Sequence, residues 1–274
     1  MHRRRLFCLL SIICALMLVS VAVAQLPAYK EIELGKQALA HGKYDEAIQH
    51  FENANNQVQM NVMVQLDLAN AFAGKYVPGA DNADNARVAD QAINYYQRVL
   101  DGNTSRIASF NAAKGVALLK AQMNQFDEAK DYFARAEKLD QRDPDSYYWT
   151  AVIDWTVSNQ FRLQQRTKLK LKPEDSLPEK NHEICILVRG NNWSNLDDGI
   201  DNLNKTLELD PKSEGAMTYM NLVYLERADV ECDDPGIRKS DLKTAGEWAQ
   251  KLAALKKLKA THPQKKKTDD DDDD

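Results

Sequence analysis

Lys43-Tyr44-Asp45-Glu46-Ala47 returns as Gln125-Phe126-Asp127-Glu128-Ala129, and Phe133 and Ala136 follow the second copy as Phe51 and Ala54 follow the first. Twelve residues separate Gly35 from Ala47, and twelve separate Ala117 from Ala129. Gly35 to Ala69 and Ala117 to Ala151 are both steps of 34 residues. A 34-residue period that carries two helical patterns is the signature of stacked helix-turn-helix units, none of which can bury its apolar face without its neighbours. Each residue of the repeated phrase has a physical use. The aromatic fills the turn, the acids suit the positive end of the helix that starts there, and the alanine lets two helices approach closely.

Working outward, residues 28 to 41 place Ile32, Leu34, Gly35, Ala38 and Leu39 at helical spacing, Gly42 breaks the pattern, and Tyr44 to Ala54 resumes it with Ala47, Ile48, Phe51 and Ala54 on one face. This is one antiparallel helix pair. First-helix small residues recur at Gly35, Ala69, Ala117 and Ala151, with the polar Asn221 departing in the last unit. Their second-helix counterparts are Ala47, Ala92, Ala129, Gly199 and Ala245. The aromatic that follows is Phe51, Tyr96 and Phe133, replaced later by Leu203 and Ala249. A helix-ending proline is clear only at Pro211, in Leu207-Glu208-Leu209-Asp210-Pro211.

These residues resemble the tetratricopeptide repeat (TPR) family over about residues 28 to 258, and the chain is also similar to secreted bacterial members of that family. The resemblance implies an all-α TPR-type helix-turn-helix solenoid, a right-handed superhelix of about five helix pairs. It also implies that a peptide or partner protein is bound along the concave groove of the first helices. By position in each unit that groove takes Ile32 and Lys36, Leu66 and Asn70, Lys114 and Leu118, Tyr148, Val152 and Trp155, and Thr218 and Leu222. Lys36 and Asn70 would orient the partner, and Tyr148 and Trp155 would supply contact area. The other fate of such aromatics is packing against the long insertion described next, as a second small core.

Three units break the twelve-residue spacing. Ala69 to Ala92 is 23, Ala151 to Gly199 is 48 and Asn221 to Ala245 is 24, so insertions of 11, 36 and 12 residues fall in the turns between paired helices. The first, Tyr76 to Asn82, reads as a turn followed by an early start of the second helix near Ala83. The last, Asp229 to Ser240, reads as a polar loop containing Pro235-Gly236. The middle one, about 159 to 195, carries Arg162, Arg166, Lys168, Lys170, Lys172, Lys180 and Arg189 against four acids, a basic loop on an acidic protein. It reads either as a site for an anionic partner or as a solvated loop, with Ile184 to Val188 packing back as a short strand or helix. The final helix, Leu242 to Lys259, closes the stack with lysine-rich outer faces.

Met1 to Arg5 holds three arginines, Leu6 to Val19 is almost wholly apolar, and Ala22-Val23-Ala24 offers a small-x-small cleavage pattern. Residues 1 to 24 are therefore expected to be a signal peptide, with residues 25 to 260 as the repeat domain, in the periplasm or secreted. An uncleaved N-terminal membrane anchor is the competing reading. After cleavage no other stretch is apolar enough to span a bilayer.

The mature chain has 33 basic and 41 acidic residues, a net of −8, of which six charges are Asp269 to Asp274. The remaining body, near −2, excludes a strongly basic nucleic-acid footprint. Residues 261 to 274 are too charged to form a core and read as a disordered tail. Cys185 and Cys232 are the mature cysteines. In an oxidising compartment they are a candidate disulfide, the alternative being two buried thiols. His41, His50, His182 and His262 form no metal-ligand spacing, and there is no phosphate loop or nucleophile elbow. The sequence thus points to a binding protein without catalytic residues, cofactor or metal. It leaves the partner and the oligomeric state open, together with the choice between an adaptor or assembly factor, a structural subunit of an envelope complex using its edges, and a binder of envelope polymers or anionic ligands through the basic insertion.

Overall fold

The computed structural model describes residues 27–58, 61–102, 104–172 and 175–261. Among these there are eleven helices and no strand. The first, α1, covers residues 27–40. It is followed by α2 (Tyr44–Gln57), α3 (Val62–Lys75), α4 (Ala83–Asp101), α5 (Arg106–Gln122) and α6 (Phe126–Leu139). Then come α7 (Pro144–Lys168), the single turn α8 (Leu177–Lys180), α9 (His182–Leu209), α10 (Glu214–Val230) and α11 (Pro235–Thr261). The expected signal segment 1–24 lies outside the described residues, as does the tail beyond Thr261. No described helix is long and apolar enough to cross a membrane.

The pairs are α1 with α2, α3 with α4, α5 with α6, α7 with α9, and α10 with α11. The fold is an all-α, tetratricopeptide-type array of five helix pairs. Contacts gather the chain into two compact units, divided in sequence between Asp140 and Gln141.

In the first unit the core is Ala47, Phe51, Leu68, Ala69, Ala92, Tyr96, Ala113 and their neighbours, all buried. Gly35 works as the period implies, and Gly115, two residues before the period position Ala117, does the same for another aromatic. A Cβ on Gly35 would stand 2.5 Å from the Phe51 ring, and one on Gly115 would stand 2.3 Å from the Tyr96 ring, so both aromatics occupy the volume a side chain would need. Local signals set the ends of the helices. α1 closes on Gly42 at φ 69°, with Lys43 N–H donating to the Ala38 carbonyl (2.9 Å) and Gly42 N–H to that of Leu39 (3.0 Å). α5 closes in the same way on Asn124 at φ 58°, through Gln125 to Lys120 and Asn124 to Ala121. This left-handed stop satisfies carbonyls that the helix leaves over. The helices that follow, α2 and α6, have no side-chain cap but carry Asp45, Glu46, Asp127 and Glu128 in their first turns. Asn61, Asn82, Ser105, Asp143, Asn181 and Ser213 cap α3, α4, α5, α7, α9 and α10.

The second unit has its own core of Ala151, Leu177, Cys185, Val188, Leu196, Leu203, Met220 and Val223. Here the insertions correct the sequence reading. The segment 159 to 195 is not a basic loop; most of it lengthens two paired helices. The left-handed stop that closes α1 and α5 seven residues after their small residue closes α7 nineteen residues after Ala151, at Lys170 (φ 53°), where Leu171 N–H donates to the Arg166 carbonyl. Ile184 to Val188 lies inside α9, so neither a strand nor a separate short helix forms. The expected loop Asp229 to Ser240 is also mostly helical, because α10 runs to Val230 and α11 starts at Pro235. The early start of α4 at Ala83 is as read from the sequence.

The lengthened part is held by charge and by a covalent link. Cys185 Sγ and Cys232 Sγ are bonded at 2.02 Å, joining the first turns of α9 to the link between α10 and α11. Arg189 adds ion pairs to Glu231 (3.3 Å) and Asp233 (3.0 Å) across the same junction.

Candidate functional site

In the first unit, the residues expected to face a partner divide into buried and accessible. Leu66 belongs to the core. Lys36 is exposed and pairs with Glu33 at 3.3 Å. Asn70 accepts a hydrogen bond from the Tyr96 hydroxyl at 2.7 Å, so the core aromatic itself orients this surface amide. Lys114 lies over the Phe110 ring at 5.6 Å, and Leu118 is half-buried. Beside Asn70, burial pushes the Asp67 carboxyl up to about 6, with Lys36 opposing the shift and Glu33 adding to it.

In the second unit, Tyr148 and Trp155 of α7 meet the Tyr219 ring of α10 edge-on, at 5.7 and 5.5 Å. Tyr148 also lies against Gly215, whose added Cβ would stand 3.0 Å from the ring. Their ring contacts are with the next first-helix, and both also pack against the second unit's core, to which the insertion contributes Leu177, Cys185 and Val188. Val152, on the same stretch of α7, is buried. Trp155 has a second surface, on a cavity of about 330 Å³ lined also by Asn159, Arg162, Leu222, Leu225, Glu226, Ala228, Asp229, Arg238 and Leu242.

This cavity owes its floor to the added turns. Asn159 and Arg162 follow Trp155 on one face of α7 at steps of four and three residues, while Leu222, Glu226 and Asp229 do the same on α10. Arg162 Nε donates to Glu226 Oε1 at 2.7 Å, and its Nη1 donates to Asp229 Oδ2 at 2.9 Å. Asn159 Nδ2 donates to the other Glu226 oxygen at 3.0 Å. Arg166 Nη1 reaches Asp229 at 3.3 Å, and its Nη2 donates to the carbonyls of Lys172 and Asp175. Burial alone would lower the Arg162 pKa, but Glu226 and Asp229 outweigh it and the net direction is upward. With Glu226 only 2% exposed, the pairing is what makes its burial tolerable.

The same pairs take up four of the seven basic residues of the insertion. Arg162 and Arg166 are consumed by α10, Arg189 by Glu231 and Asp233, and Lys180 by Asp175 at 3.3 Å. These partners are remote in sequence, since Arg162 and Glu226 are 64 residues apart. The helical spacing of Leu222, Glu226 and Asp229 is the signal that could have revealed them. Among the described residues no group of three or more His, Cys, Asp or Glu side chains could hold a metal ion.

Comparison with known proteins agrees on architecture. No protein-family model matches the sequence, and no curated protein does. Solved structures do match. "Crystal structure of MamA protein" superposes with a TM-score of 0.52 at 16% identity, covering 87% of this chain and 96% of that one. "MamA 41-end from Desulfovibrio magneticus RS-1" gives 0.52 at 15% identity, with coverage of 85% and 96%. "MamA RS-1 ArsTM double mutant" gives 0.54 at 15% identity, with coverage of 86% and 97%. At such identities the likeness is one of fold. The class is thus a helix-pair repeat protein, and the particular fold is that of the tetratricopeptide repeats.

Proposed function

We propose that the chain is an exported protein-interaction module, an adaptor or assembly factor, that holds a peptide or a segment of a partner protein against the open faces of its first helices. The observation that carries this reading is the cavity beside Trp155, where the indole and three leucines stand next to a prearranged polar floor. Ligand sites combine an apolar lining with a few placed polar groups in this way. Lys36, Asn70 and Lys114 would offer polar contacts on the first unit, and Leu118, Tyr148 and Val152 would back the contact surface. Export draws support from the expected signal peptide together with a disulfide, a bond that persists in oxidising compartments.

The test is partner capture from an envelope extract by residues 25 to 274, followed by cross-linking mass spectrometry. Cross-links from Lys36 or Lys114, and loss of capture by Trp155→Ala, are the expected results. Cross-links confined to the terminal helices, with capture untouched by Trp155→Ala, would instead support a structural subunit that uses its edges.

A further inference from the structure

We propose that the cavity formed by α7, α10 and α11 selects a peptide segment in which a large apolar side chain is followed two positions later by a carboxylate. The proposal rests on the groove reading above and gives its occupant a chemistry.

The apolar half of the requirement comes from the rim. Leu225 and Leu242 are 42% and 47% exposed, although both line a concavity beside Trp155 and Leu222. Neither leucine belongs to the second unit's core, so a partner side chain placed between them would cover apolar surface at no cost to existing packing.

The acidic half comes from the arginines. Arg162 and Arg166 pair with Glu226 and Asp229, and Arg238 lines the same cavity as Arg162 and the two carboxylates. The two acids are spent on Arg162 and Arg166. Arg238 is left with Ser176 Oγ at 3.0 Å and with Glu179 at 3.3 Å, and Glu179 is 71% exposed. A carboxylate so open to water contributes little to an ion pair and is readily exchanged. Arg238 Nε is buried and has no hydrogen-bond acceptor. A partner carboxylate at Arg238 would replace Glu179 with a more enclosed charge, and a small turn of the guanidinium would bring Nε to an acceptor. Arg238 and Leu242 lie four residues apart on α11, about 6 Å along its axis, which matches the spacing of side chains two positions apart on the same face of an extended peptide.

Fluorescence anisotropy with four labelled heptapeptides tests this on the full mature chain. They are Ser-Gly-Leu-Leu-Glu-Gly-Ser and its forms with Ser-Ser for Leu-Leu, with Gln for Glu, and with both changes. The parent peptide is expected to bind at least tenfold more tightly than the Gln form. Arg238→Gln should erase that ratio, and Leu225→Ser should weaken the parent and Gln forms alike. Equal binding of the Glu and Gln forms, a ratio that survives Arg238→Gln, or no binding of any peptide at millimolar concentration overturns the proposal. Circular dichroism of the two variants, whose changed side chains are exposed or half-exposed, checks that they fold. Envelope-partner capture separates the two levels. Capture lost in Trp155→Ala but kept in Arg238→Gln leaves the groove reading standing and removes this one, whereas capture indifferent to Trp155→Ala removes the groove reading.

Discussion

The first unit holds its helix pairs together with aromatics seated on glycines, as in Phe51 on Gly35 and Tyr96 on Gly115; the second holds its longest helices with buried charge and a covalent link. The difference follows from helix length. A repeat of ordinary length presents only the stripe that its period specifies, and shape complementarity suffices there. In the second unit α7 is carried twelve residues past the usual stopping point, where no repeat position supplies a small-and-aromatic match. The added turns therefore bring their own fasteners: Arg162 and Arg166 toward α10, and Cys185 and Arg189 toward the start of α11. Such fasteners are costly to break singly, because a buried charge without its partner is worse than an apolar pair.

The sharpest way to break the contrast is Glu226→Ala, which leaves Arg162 half-matched in the interior. We expect a loss of about 3 to 5 kcal/mol, seen as faster amide exchange in α7 and α10 than in wild type. Unchanged exchange there would mean that packing alone holds the extension. Next, Cys185→Ser with Cys232→Ser opens a loop of 47 residues and should cost about 2 to 4 kcal/mol in urea titration, with the wild type under reducing conditions showing the same loss. In the first unit, Gly115→Ala forces the Tyr96 ring to move and should cost about 1 to 2 kcal/mol despite alanine's better helix propensity, read from the thermal midpoint.

The smallest effect concerns Asp67. Its carboxyl is raised to about 6 in the folded chain by burial, above the ordinary 3.8. A raised acid favours the folded state only while it is protonated. Below about pH 4 it is neutral in both states, the folded chain loses ground as pH rises from 4 to 6, and the penalty is complete above 6. Asp67→Asn should therefore stabilise the protein at pH 7 by about 1 kcal/mol after solvent screening, and should flatten the fall of the melting temperature between pH 4 and 6. A variant that follows the wild-type pH profile would show that Asp67 is not the group responsible.

These contrasts also mark what could be read from residues alone. Gly42, the phrase Tyr44 to Ala47 and the small residues announced the pairs, because a turn, a cap or a close approach is decided within a few positions. Ala83 announced the start of α4 for the same reason. The two larger insertions read as loops because their many charges look like solvated surface and their partners are remote: Arg162 meets Glu226 only once α7 and α10 are side by side. The cavity shared this obscurity. Trp155 and Leu222 could be placed by their repeat positions, whereas Arg238 and Leu242 sit in what looked like a polar loop and the start of a closing helix.

The link between Cys185 and Cys232 also decides how the molecule would carry force. A pull on its two ends would pass from sulfur to sulfur and leave nearly all of α9 and the whole of α10 shielded inside a covalent ring. With 47 residues enclosed, the oxidised chain would stretch about 160 Å less than the reduced one before going taut. A protein tethered between two envelope partners would thus yield first elsewhere along its length, while the wall of the cavity that α10 forms remains out of the line of tension.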